Sequence, residues 1–228
     1  MRKAIGVMAH YKLASERFIE YFKARGALIE KVENLTFRKI LFATALDSLA
    51  RAAFGNIQHR KRIVQLVDNL TDWNAKELVS LPQLELNLRE KKLGRYRLYR
   101  EVRRRLAQWS PGDIIPLARS PYATDLMKFA DQQESTIVGN CRYPELFYTY
   151  RNNLIHEFRE PGYGIEIPSD EDKPYYTYMI NGPWQLVFPI GFFSAIFDQA
   201  VSGLHNYLTE SKIDPYTRFE FGSLWRAN

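Results

Sequence analysis

Apolar positions recur at helical spacing over long stretches of this chain. In LTFRKILFATALDSLARAAFG, residues 35–55, Phe37, Ile40, Leu41, Ala45, Leu49 and Ala52 follow a 3.6-residue repeat, and Gly55 supplies a stop. Residues 12–32 also read as a helix. Ile63, Leu66, Val67 and Leu70 mark one face of a third helix in QHRKRIVQLVDNLTDW. Residues 75–88 are ambiguous, because Pro82 restricts a helix there to starting or ending near it. The stretch REKKLGRYRLYREVRRRLAQW, residues 89–109, predicts a helix packed by a narrow stripe of Leu98, Val102, Leu106 and Trp109. Pro111, Gly112, Pro116 and Pro121 then predict a long connection through about 135, with a short helix around 123–130. A further helix is expected over about 144–158. YYTYM and WQLVF flank Asn181–Gly182 and predict a small hairpin over about 175–188, irregular at Pro183. The last strong helix covers about 190–208, with Phe193, Phe197, Val201, Leu204 and Leu208 on one face. The aromatic tail from Asp214 is expected to dock. The fold class is mainly α, a helical bundle with a minor β element, read as a single domain over 1–228.

Composition narrows the class of protein without naming an activity. The chain has 228 residues, 46% of them apolar, with 14 Tyr and 14 Phe, which argues against extensive disorder. Cys141 is the single cysteine, so an internal disulfide and a zinc knuckle are excluded, and a cytoplasmic location is expected. No apolar run approaches bilayer length, so no membrane association is expected, and MRKAIGVMAHYK is a poor signal peptide. The formal net charge of +6 favours polyanionic partners.

Much of that charge sits in 89–109. Arg95, Arg97, Arg100, Arg103 and Arg104 belong to a one-signed run opposed only by Glu90 and Glu101. Two readings stay open: a solvated charged face, or a surface that follows RNA phosphates while Tyr96 and Tyr99 stack on bases. His10, His59 and His205 lie outside any metal-ligand spacing, and no phosphate-binding glycine loop or nucleophile elbow is present. No metal or cofactor is expected. Asp170, Glu171 and Asp172 read as a solvated acidic loop.

The stretch YRNNLIHEFREPGYG, residues 150–164, carries the clearest candidate chemistry. On a helical wheel Tyr143, Leu146, Phe147, Tyr150, Leu154 and Phe158 gather on one side as the core face. Asn152 and His156 form an i, i+4 pair on nearly the opposite side, with Glu145 and Thr149. Arg151 falls at the flank of the apolar stripe, about 140° from His156. Histidine exchanges protons near neutral pH, and arginine offers a fixed fork of donors to phosphate. Glu157 falls near the core side, available to a basic neighbour.

The spacing R-N-x-x-x-H at Arg151, Asn152 and His156, within LFYTYRNNLIHE, resembles the motif of the HEPN superfamily, most closely its Apea-type group. The resemblance is sharp over 143–160 and loose over the helices at 35–70 and 190–208. It implies a HEPN-like helical bundle with extra helices and a metal-independent endoribonuclease using Arg151, Asn152 and His156. It also implies RNA as partner, a homodimer through the motif helix that completes a shared site, and a defence or toxin–antitoxin setting with an antitoxin or regulatory protein. Some HEPN domains bind without cutting. A non-catalytic RNA- or nucleotide-binding module, or a protein-interaction module, is therefore the alternative.

Overall fold

The apolar period folds as helices over most of the chain. The computed structural model describes residues 2–94, 96–162, 166, 172–178 and 183–219, with residues 2–10 as helix backbone. It is mainly helical, with one small antiparallel sheet. Packing divides the chain into two compact units, Met1–Asp72 with Phe193–Asn228, and Trp73–Phe192.

The first unit is helical. It holds α1 (Arg2–Ile29), α2 (Leu35–Phe54), α3 (His59–Leu70) and α9 (Ile190–Ser211) from Phe193 onward. Asn34 caps α2 by accepting from the Phe37 amide, and Gly55 closes it at φ 70°, a conformation that glycine adopts without steric cost. Phe42, Leu46, Leu49, Ile63, Leu66, Phe197 and Leu204 are buried in its core. At Gly203 a Cβ would stand 2.2 Å from the Leu70 carbonyl oxygen, so α9 passes that backbone closely because position 203 has no side chain. The described part of the tail, through residue 219, docks: Tyr216 and Phe219 pack their rings on Phe18 at 5.6 and 6.0 Å.

The second unit is knitted around the extended segment 77–80. The Val79 amide donates to the Pro121 carbonyl and the Ser80 amide to that of Cys141, while the Ala123 and Tyr143 amides donate to Glu77 and Leu78. That ladder fixes the start of α4 (Leu81–Glu90), which Ser80 caps and Pro82 opens, and of α8 (Tyr143–Glu157). The hairpin pairs β2 (Tyr175–Tyr178) with β3 (Trp184–Val187), from Tyr175 opposite Val187 to Tyr178 opposite Trp184. Its Asn181–Gly182 turn lies outside the described residues. A short strand, β1 (Ile115–Pro116), extends the sheet in the order β1-β2-β3.

Several elements differ from the sequence reading, among them α1, which starts at Arg2 rather than residue 12, and β1. The 89–109 helix is broken: α4 ends at Glu90 and α5 (Arg97–Leu106) starts afresh. Lys92 takes a left-handed conformation at φ 60°. The Leu93 amide then donates to Leu88 and that of Lys92 to Arg89, a Schellman closure. The connection after 110 also holds more structure than its prolines suggest. It carries α6 (Ala123–Met127) and then α7 (Gln132–Asn140), opened by a capping box in which Asp131 and Glu134 bond each other's backbone amides.

Candidate functional site

The R-N-x-x-x-H motif lies on the second half of α8, and its three side chains meet different environments. Tyr143, Phe147, Tyr150 and Leu154 are buried, as the wheel placed them. Phe188 packs on Phe147 and Tyr150 at 5.5 and 4.9 Å between ring centroids. Arg151 follows Phe147 by four residues and precedes Leu154 by three, so it runs along the same ridge. It is 1% exposed, buried rather than marginal, and is among the largest fully enclosed side chains described. Its guanidinium carbon sits 5.9 Å from the centroid of the Tyr148 ring, and burial draws its pKa down to about 10.

Asn152 is half-buried and His156 is exposed on the outer side of the helix. The helix ends directly after them. Phe158, assigned by the wheel to the core, is 67% exposed, because the backbone turns left-handed there at φ 54° and takes the ring off the helical path. Glu157 is exposed rather than core-side, and pairs with Arg159 at 2.5 Å. The Tyr150 hydroxyl donates to Glu160, which ties the core face of α8 to the chain beyond its end. Burial and the neighbouring carboxylates Glu160 and Glu166 push the Tyr150 pKa up, so the phenol stays protonated.

The basic segment is less one-signed in space than in sequence. Arg104 and Arg105 both hold Glu101, at 2.7 to 2.8 Å, and the Arg104 bond above all pulls that carboxyl down to about 2. Arg103 faces Glu85 at 3.7 Å. Arg97 lies over the Phe129 ring at 5.1 Å, and Arg100 is exposed. Arg95 lies outside the described residues. Of the other histidines, His59 bonds Asp47 at 3.0 Å between α2 and α3, which gives it a structural partner. Burial raises the Cys141 thiol to about 12 and leaves it unreactive. Among the described residues no group of three or more His, Cys, Asp and Glu could hold a metal ion, and no single helix is long and apolar enough to cross a membrane.

A feature that the sequence reading missed lies in the second unit. A cleft of about 850 Å³ opens between α4, α5, the hairpin and the first half of α8. Trp109, Tyr176, Tyr178 and Trp184 line it, together with the charged side chains Glu85, Arg89 and Arg103. Leu146, Thr149 and Tyr150 reach it from α8, whereas Arg151, Asn152 and His156 do not. The aromatic density of YYTYM and WQLVF was visible in sequence, but nothing there joined it to Arg89 and Arg103. Comparison with family models, with curated proteins and with solved structures finds no match for this chain.

Proposed function

We propose that this chain is a HEPN-type, metal-independent endoribonuclease in which His156 carries the proton transfer. The observation behind this reading is the R-N-x-x-x-H spacing on α8, with an exposed His156 one turn after a half-buried Asn152. Cleavage without metal needs a base to take the 2′-hydroxyl proton while that oxygen attacks the adjacent phosphorus. The 5′-oxygen then leaves as its proton is restored, giving a 2′,3′-cyclic phosphate and a free 5′-hydroxyl. An exposed imidazole suits both proton transfers. Asn152, one turn earlier on the same side, would orient the imidazole or hold the substrate.

Arg151 enters differently from the resemblance. At 1% exposure its guanidinium supports α8 from within, and direct contact with an RNA phosphate requires that part of α8 to shift. That burial favours a second reading, a module that binds RNA without cutting it, with exposed cations such as Arg97, Arg100 and Arg104 meeting the phosphates. The homodimer, the defence or toxin–antitoxin setting and an antitoxin partner rest on the resemblance.

Incubating the purified protein with RNA in EDTA tests the proposal. Cleavage with cyclic-phosphate ends is expected, and His156→Ala, an exposed position, should abolish it while leaving the thermal melt in place. Cleavage that survives the substitution moves the site elsewhere. Salt-sensitive RNA binding by the wild type with no turnover selects the second reading.

A further inference from the structure

We propose that the cleft of the second unit is a binding site for a small aromatic anion, a molecule carrying one flat ring system and a phosphate or carboxylate. No side chain of the R-N-x-x-x-H motif lines the site, which shares Arg103 with the cationic run read as a phosphate surface. A volume of about 850 Å³ suits a small molecule, within the roughly 300–1,000 Å³ of such sites.

One wall is built to receive a ring. Trp184 and Tyr178 are half-buried and line the cleft. They pack on each other at 5.0 Å, and Trp184 meets buried Trp109 edge-to-face at 5.2 Å and 89°. Trp109 is held in turn by Tyr176 at 5.3 Å, and the Tyr176 hydroxyl is anchored on Ser80 at 2.5 Å. The rings are therefore fixed before a ligand arrives, so little ordering remains to oppose binding.

The charged part of the lining selects an anion. Arg89 and Arg103 are exposed guanidiniums on α4 and α5, whereas the carboxylate among them, Glu85, already accepts from the Tyr99 hydroxyl at 3.0 Å and faces Arg103 at 3.7 Å. Two cations against one engaged carboxylate leave a net positive rim, and a guanidinium fork matches phosphate and carboxylate alike. A neutral aromatic would leave that rim unused, and inorganic phosphate would leave the ring wall unused.

A nucleoside monophosphate and a free aromatic acid share this chemistry, and calorimetric titration of the full chain separates them. Adenosine 5′-monophosphate and indole-3-acetate serve as probes, with inorganic phosphate as control. At least one ring-bearing probe should bind saturably and more tightly than phosphate. Whichever binds identifies the source, and binding of both establishes the broader class. Arg89→Ala with Arg103→Ala should weaken that binding at least about tenfold, and Trp184→Leu about fivefold or more. Glu85→Gln, which removes the opposing charge and keeps an acceptor for Tyr99, should tighten it. His156→Ala should leave it unchanged, so loss of RNA cleavage and loss of this site are read independently. The proposal is overturned if neither probe binds at millimolar concentration or if phosphate binds as well as both probes. It is equally overturned if affinity ignores Trp184 and the two arginines in variants whose melts match the wild type.

Discussion

A buried arginine and an exposed histidine on one helix answer differently to mutation, and that difference decides how the motif can be tested. Arg151 is 1% exposed and among the largest fully buried side chains described. Truncation there removes packing on the core ridge of α8. Arg151→Ala should therefore cost on the order of 2–5 kcal/mol, as for other large buried side chains. His156 and its neighbours on the outer face carry no such load, and His156→Ala should stay within about 0.5 kcal/mol of the wild type. Urea denaturation of the two variants checks both expectations. Equal, near-wild-type stability of Arg151→Ala would show that the guanidinium is not enclosed in solution. It would also restore Arg151 as a direct phosphate ligand. Lost activity in Arg151→Ala is informative about chemistry only beside this measurement, whereas lost activity in His156→Ala is informative alone.

At the scale of single elements, α5 shows how a strongly cationic sequence becomes a stable helix. Glu101 lies on the inner side of α5 between Leu98 and Val102 and accepts from both Arg104 and Arg105, so the densest part of the cationic run is partly compensated within one turn. The Arg104 hydrogen bond is the largest influence on Glu101. Burial opposes it, Arg105 reinforces it, and the carboxyl falls from its ordinary 4.5 to about 2. A carboxylate depressed by folding contributes stability that is complete above its unfolded value and lost as pH drops through its folded one. The advantage of the wild type over Glu101→Gln should thus be full at pH 7 and shrink between about 4.5 and 2. Urea midpoints at pH 7 and pH 3 measure it, and a gap of equal size at both would mean that the ion pairs contribute nothing. Elements of this kind were unevenly legible. The helices of the first unit and α8 announced themselves through apolar period, and α2 also through its Gly55 stop. The break before α5 did not, because Lys92 takes the left-handed position that a sequence reader assigns to glycine. The helix α7 had its signal in Asp131-Gln132-Gln133-Glu134, hidden among prolines. The wheel put Phe158 on the core face, but it lies one residue past the last helical residue, where the wheel no longer applies, and it is exposed.

For the whole molecule, the ribonuclease reading expects two copies to pair, and the surface through which they would do so can be tested. A two-fold axis sets each surface against itself, so a residue near the axis meets its own counterpart. Pairing through the outer side of α8 would bring together two sets of Asn152 and His156, the composite site that the ribonuclease reading requires. The first unit offers a rival surface, since Leu28, Phe37 and Leu41 are exposed apolar side chains there. Charge reversal separates the two. His156→Glu would set two new carboxylates face to face across an α8 interface, while Phe37→Glu would leave that interface untouched. Sedimentation equilibrium of the wild type should then give about twice 26.8 kDa, His156→Glu should fall toward 26.8 kDa, and Phe37→Glu should not. The opposite pattern would place the interface on the first unit, and a monomeric wild type would leave α8 unpaired. In either case His156 would have to act from a single subunit, and with Arg151 enclosed the binding reading would gain over the catalytic one.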